Sequence, residues 1–246
     1  MNNIMTTTES GDTRGSAGRE LHDRTHHLKV DVWADVMCPW CYLGKRRLDA
    51  AAASFAARGL GEGRKVEIEF HSFQLAPDLP AGKTEPAAAF IARETGSTEA
   101  EVHTMLNHMV RLGKRIGIDY NWDAVQVTNT LLAHQLIHHA KAAGKQLEAE
   151  EALFAAYFTE GRDVGDAEVL ADIAERLGLD RAETTRALAS SEHLPAVRSD
   201  IARAGAQGIT GVPFFVVDGK YALSGAQEQA VLERALEQAW SERPGA

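Results

Sequence analysis

Two cysteines, Cys38 and Cys41, are the only ones in a chain of 246 residues, and both lie within "MCPWCYLG", Met37 to Gly44. Cysteines at i and i+3 share a helix face and lie close enough to join. At the N-terminus of a helix, the first sulfur sits beside unpaired backbone N–H groups and the positive end of the helix dipole, and both favour a thiolate. Pro39 at the first helical position loses no needed donor and pre-sets the turn. Trp40 offers an apolar wall beside the sulfur, and Cys41, one turn deeper, is shielded. The chemistry that follows is thiol–disulfide exchange: Cys38 attacks an external disulfide and Cys41 resolves the mixed disulfide. Half of a zinc site is a competing reading. Zinc wants four ligands, no second cysteine pair exists, and the spacing of His26-His27 and His138-His139 to the cysteines predicts nothing. No metal or other cofactor is therefore expected. An inert buried pair is the third reading, and a helix N-terminus, the position that activates thiols, argues against it.

The elements that must hold this pair are visible on either side of it. "LKVDVWADV", Leu28 to Val36, alternates Val30, Val32 and Ala34 with Asp31, Trp33 and Asp35 and reads as a strand. "GKRRLDAAAASFAARG" is alanine-rich and helical, with a stop at Gly59. "KVEIEFHSFQL" is a second strand and "APDLPAG" a loop. The first third is β-α-β, with the cysteines where strand one meets helix one; there a Cys-x-x-Cys is a strong redox signal. From about Thr84 to Gly208 the pattern is helical throughout, with helices expected over 86–95, 98–116, 125–143, 146–159, 166–177, 181–190 and 192–206 and no strand. Thr98 with Glu101 fits a capping box. Strands return in "VPFFVVDGKYALSG", with Asp218-Gly219 as the hairpin turn. Ser224 with Gln227 reads as a capping box for a final helix through Trp240. The terminal pieces each hold too few strands to close a sheet alone. The expected fold is therefore an α/β domain (28–83 and 207–246) with an all-helical domain (84–206) inserted into it. Pro213 opens an apolar strand, either as an ordinary strand-starting residue or as a cis proline facing the cysteines; the upstream redox motif favours the second. A cis turn there leaves the backbone of Val212 free to pair with an extended substrate as an added strand, so Pro39, Trp40 and Val212 are the candidate substrate-binding residues.

"DVWADVMCPWCYLGKRRLDAA", "FHSFQLAPDLP", "VTNTLLAHQL" and "GITGVPFFVVDGKYALSGAQ" together resemble the DsbA family of thioredoxin-fold disulfide oxidoreductases, and within it the FrnE-like branch. The resemblance covers about 28–240. It implies a thioredoxin fold with a helical insertion, Cys38 as nucleophile, Cys41 as resolving thiol and Pro213 in cis beside them. Some FrnE-like relatives carry extra C-terminal cysteines that recharge the active pair. This sequence has none, so recharging is expected from an external thiol redox partner.

Other residues have two readings each. Asp35, three before Cys38, is either a proton acceptor for Cys41 or a cap on the following turn. His71 and Gln74 follow the family pattern but are read as packing or surface residues. His134 and His138 have the i, i+4 spacing of a zinc pair, yet no third ligand is in sight, and core or interface roles are favoured. Asn129 and the segment Thr128 to Thr130 are placed on the side of the helix toward the cysteines or in a purely structural role.

The formal net charge of −9 argues against nucleic acid and anionic membrane as partners. No apolar run approaches the roughly 18 residues of a spanning helix. The segment from Met1 to about His27 lacks the apolar core of a secretion signal and reads as a disordered leader, so a cytoplasmic location is expected. Protein or peptide disulfides are the expected substrates, with a homodimer left open. Two other function classes compete. A kappa-type glutathione transferase or hydroxychromene-carboxylate isomerase shares the insertion architecture but needs no resolving thiol. A non-catalytic chaperone-like module would use the apolar surface around Trp40.

Overall fold

The computed structural model describes residues 27–59 and 63–243. The expected leader lies outside the described residues, apart from His27, which opens the first strand. β1 (His27–Ala34) leads through a turn into α1 (Pro39–Arg58), and β2 (Lys65–Ser72) follows. The inserted segment comes next, as β3 (Glu85–Pro86), α2 (Ala87–Thr95), α3 (Glu99–Lys114), β4 (Gln126–Val127), α4 (Leu131–Ala142), α5 (Gln146–Phe158), α6 (Ala167–Arg176), α7 (Arg181–Ala189) and α8 (Leu194–Ala206). The chain then closes with β5 (Phe214–Val217), β6 (Tyr221–Ser224) and α9 (Gln229–Ser241).

Both ends of the chain build one sheet of order β2-β1-β5-β6. β1 pairs parallel with β2, from His27–Lys65 to Ala34–Ser72, and antiparallel with β5. The period-two pattern of β1 sends Leu28, Val30 and Val32 into the main core with Phe215 and Val217 of β5 and Leu232 and Leu236 of α9. Trp33 points the other way, yet it is also buried, against Ala204, Ile209 and Phe214. Asp35, just past the strand, is enclosed beside Leu75 and His134 of α4, and α8 covers the Trp33 side of β1. This is the usual state of a central strand with helices on both sides. The hairpin turn is as expected, with Asp218 and Gly219 in the left-handed region at φ 53° and 68°.

Two details of the insertion correct the all-helical expectation. β3 and β4 pair antiparallel, Glu85 with Val127 and Pro86 with Gln126. The helix expected over 125–143 therefore starts only at Leu131, after the Asn129 side chain turns the chain by accepting from the Leu131 N–H at 2.9 Å. The Thr98–Glu101 capping box is present. The one expected at Ser224 is not: Glu228 is the N-cap of α9 without a side-chain cap, and the Gln227 amide donates to the Ser224 carbonyl at 2.6 Å instead.

The insertion is fastened to α1 by aromatic packing. The Tyr42 ring stacks on Phe154 at 5.0 Å, and Tyr120 stacks on Trp122 at 5.5 Å and meets Phe158 edge-on at 5.3 Å. Glu151 of α5 collects the Tyr42 hydroxyl, Lys45 and Arg46, at 2.9, 2.9 and 2.7 Å. These contacts place the helical segment directly behind the cysteine motif.

Candidate active site

Cys38 is the N-cap of α1, with extended backbone (φ −88°, ψ 112°), and Pro39 follows at the start of the helix. Its own N–H donates to the Asp35 carbonyl at 3.0 Å, and its carbonyl accepts from the Cys41 N–H at 3.0 Å. The first turn of α1 carries no acidic side chain to offset the positive end of the helix dipole. Both cysteines are free thiols and both are buried, Cys38 at 4% and Cys41 at 1% exposure. The Cys38 Sγ donates to the Val212 carbonyl at 3.6 Å, and the Val212–Pro213 peptide is cis. The structure thus brings Cys38, Cys41, Val212 and Pro213 into one place. Gly44 makes the approach possible. A Cβ on it would stand 3.1 Å from both the Pro213 ring and the Phe215 ring. That close approach is not readable from the sequence, where Gly44 sits inside a helical pattern with no partner indicated.

Burial pushes the Cys41 thiol well above its ordinary pKa, and its hydrogen bond with Cys38 and the charge of that sulfur act the same way. A proton on Cys41 must therefore have an acceptor when the thiol reacts. Asp35 is the nearest buried carboxylate in chain order, and its charge also acts to raise the Cys41 thiol. The carboxylate is fully buried. It accepts from the Leu75 N–H at 2.7 Å and the Met37 N–H at 3.4 Å, and it pairs with His134 Nε2 at 3.3 Å. Asp35 therefore does cap the turn before the cysteines, and it also faces an ionisable partner from α4.

Pro39 and Trp40 border the mouth of the site. Trp40 is 38% exposed and Leu75 47%, two large apolar side chains open to solvent. Beside Met37 and Pro39 opens a cleft of about 500 Å³, bounded by Leu75, Leu79, Phe90 and Trp122 among others. Tyr120, which the motif reading does not single out, donates its hydroxyl to the Pro39 carbonyl at 2.7 Å.

The remaining candidates lie elsewhere. His71 is buried between Asp31 at 2.6 Å and Asp200 at 3.1 Å, and His138 pairs with the other oxygen of Asp200 at 3.1 Å. His134 and His138 thus turn to different carboxylates and do not converge as a ligand pair. Asn129 donates to the Leu79 carbonyl at 2.7 Å, a structural tie. Thr128 is buried against Gly165, where an added Cβ would meet its hydroxyl at 2.4 Å. Among the described residues, Asp31, Glu69 and His71 bring ligand atoms within 4.8 Å of one another. The Lys29 ammonium already bridges Asp31 and Glu69 there, at 3.2 and 2.6 Å.

A four-stranded mixed sheet, a dithiol at the N-terminus of the helix after its central strand, and a cis-proline loop against the first sulfur define a thioredoxin-fold oxidoreductase. The chain belongs to the DSBA-like thioredoxin domain family, whose model matches residues 29–237. It is similar to a solved probable DsbA oxidoreductase, SCO1869 from Streptomyces coelicolor, at 33% identity and TM-score 0.82, over 89% of this chain and 93% of that one. A curated relative, the uncharacterized protein YwbO of Bacillus subtilis (strain 168), is 28% identical over 86% of this chain and 96% of its own length. The fold is also shared with a 2-hydroxychromene-2-carboxylate isomerase, at 19% identity and TM-score 0.63, over 85% and 95% of the two chains. Among the described residues no helix is long and apolar enough to cross a membrane.

Proposed function

We propose that this chain, as a member of the FrnE-like branch, exchanges disulfides in protein or peptide substrates through Cys38 and Cys41. The observation that carries the reading is the contact of the Cys38 sulfur with the Val212 carbonyl next to Pro213. An extended substrate laid along Val212 would present its own disulfide to Cys38, its backbone pairing as an added strand. Trp40 and Pro39 would bound it on the other side, and the apolar cleft beside Met37 would take a neighbouring side chain. Isomerase activity follows when a second substrate thiol, rather than Cys41, releases the mixed disulfide. With two cysteines in the sequence, recharging falls to an external thiol partner. A glutathione transferase-like enzyme has no task for Cys41, which sits one turn behind the first sulfur.

The test is exchange with a fluorescent peptide disulfide and with insulin. Cys38→Ser is expected to abolish both reactions, and Cys41→Ser to stop at a mixed disulfide on Cys38 visible by mass spectrometry. Undiminished turnover by Cys38→Ser would overturn the reading.

A further inference from the structure

Where α4 meets α7 and the turn into α8, two imidazoles face each other that the exchange reaction does not use. His139 Nδ1 of α4 lies 3.3 Å from His193 Nε2, with the rings tilted by 60°. The other ring nitrogen of His139, Nε2, lies 3.2 Å from the hydroxyl of Thr184, a fully buried residue of α7. That hydroxyl gives its one hydrogen to the Asp180 carbonyl at 2.8 Å. Toward His139 it can only accept, so Nε2 of the neutral ring carries the hydrogen and Nδ1 presents a lone pair to His193. A buried threonine thus fixes the tautomer of His139, with the free lone pair turned to the second imidazole.

We propose that His139 Nδ1 and His193 Nε2 form a zinc site that joins α4 to the start of α8. Imidazole is a ligand that zinc favours. Zinc holds nitrogen at about 2.0–2.1 Å in a tetrahedral set, which places two ligand nitrogens about 3.4 Å apart; the two here are 3.3 Å apart. Ligating histidines donate their other ring N–H to a fixed acceptor, and the Thr184 hydroxyl is that acceptor for His139. On binding, the hydrogen of His193 Nε2 is given up and its Nδ1 takes one from solvent, so both rings stay neutral and no net proton is released. Glu192 is the third group within reach. Its Oε1 lies 3.9 Å from His193 Nε2, and its other oxygen pairs with Arg186 at 3.0 Å. Water completes the tetrahedron, as in zinc sites that keep an open position.

The surroundings keep the pair ready. A ligating imidazole must be neutral. Burial lowers His193 below its ordinary value, and the charges of His139 and His138 act the same way while Glu192 opposes them. The His193 side chain is 18% exposed, which gives an ion a way in. The residue stands at the N-cap of α8, yet its side chain makes no cap hydrogen bond. His134 and His138 do not compete for the ion, since each faces a carboxylate instead. The pair left no mark in the sequence because its members lie 54 residues apart. The site uses neither Cys38 nor Cys41 and stands or falls independently of the exchange reading.

The test uses the full-length protein with Cys38 and Cys41 oxidised, so that the dithiol takes no metal. Zinc chloride is titrated against a chromophoric chelator at about pH 7.5, above the imidazole range, and melting is followed with and without zinc. One equivalent of zinc is expected to bind and to raise the melting temperature, because the unfolded chain does not hold the two imidazoles together. His139→Gln and His193→Gln each remove one ligand and are expected to weaken this equivalent by about tenfold or more, since even the partner of a ligand is worth 10–100-fold. Both variants should also lose the rise in melting temperature. These comparisons separate the site from histidines elsewhere in the chain. Glu192→Gln is expected to weaken binding less than either. Should His139→Gln not fold, His193→Gln, at the more open imidazole, decides. Failure of the wild type to bind zinc overturns the proposal, as does an equivalent that survives the His193 substitution undiminished, or zinc that leaves the melting temperature unmoved.

Discussion

The Tyr120 hydroxyl donates to the carbonyl of Pro39 at 2.7 Å, so a side chain of the insertion holds the first turn of the helix that begins at the dithiol. Tyr120 is enclosed by Tyr42, Trp122 and Phe158. Burial pushes its phenol above the ordinary value, and the charge of Cys38 adds to the effect, so it stays a donor through any working pH. Tyr120→Phe keeps the packing and removes only the bond. It is expected to cost about 1 kcal/mol of unfolding free energy in urea, the usual net worth of a hydrogen bond. It should also slow disulfide exchange by loosening the turn that carries Cys38. Wild-type values of both would show that the insertion does not steady this turn.

The two sulfurs are expected to differ in reactivity. Cys41 is the more enclosed, and its thiol is held well above its ordinary value by burial and by Cys38. Only the thiolate is nucleophilic. In the reduced protein, iodoacetamide at about pH 6, below the free-thiol range, should label Cys38 first. Peptide mapping by mass spectrometry reads the order. Equal labelling, or labelling of Cys41 first, contradicts the assignment of nucleophile and resolving thiol.

Gly44 separates stability from function. Alanine gains about 1 kcal/mol over glycine in a helix interior. Here the new methyl would press on the Pro213 and Phe215 rings from 3.1 Å. The two effects oppose, so the melting temperature of Gly44→Ala should change little. The relief of the contact pushes Pro213 away from α1 and thus away from Cys38, and exchange with a peptide disulfide is expected to slow several-fold. A variant with unchanged exchange would mean that the proline loop does not need this spacing.

The dithiol, its place between strand and helix, the return of strands at Pro213 and the insertion were legible in the sequence because each leaves a local mark: a cysteine spacing, a periodicity, a turn dipeptide. What was not legible is set by contacts distant in sequence. The period of two in β1 does not say that both of its faces are buried; α8, distant in sequence, encloses Trp33. Two-residue strands such as Glu85–Pro86 are too short to show a period, so their pairing with Gln126–Val127 left no trace. Tyr120 and Gly44 carry no motif of their own; only the docking of the insertion and the approach of the proline loop give them a task. Glu150 sits in a helix whose polar residues look like any solvated face, and its burial comes from α1, β2 and α4 meeting α5.

The last prediction concerns pH and the group on the far side of the sheet. Asp200 of α8 accepts from His71 at 3.1 Å, from the Ser72 N–H at 3.1 Å and pairs with His138 at 3.1 Å. Burial acts to raise its carboxyl, but the hydrogen bonds from His138, His71 and Ser72 outweigh it and hold it well below the ordinary range. His71 moves the other way: burial opposes its charge, and Asp200 and Asp31 outweigh that and raise it. A depressed carboxylate stabilises the fold above its unfolded value of about 4 and loses that contribution as pH falls toward its folded value. A raised imidazole contributes fully below about 6.5 and loses its share as pH climbs through its folded value. The pair therefore helps most between those limits. Asp200→Asn strips the buried partner from both histidines and is expected to cost about 3 kcal/mol in that window, the lower end for breaking a buried pair. Urea unfolding of both proteins across pH gives the difference curve, in which contributions common to the two, such as that of Glu150, cancel. The difference should narrow toward acid, as the wild type begins to protonate Asp200, and narrow again toward alkali, as His71 loses its charge. A difference that stays constant with pH would show that Asp200 serves α8 only as a hydrogen-bond acceptor.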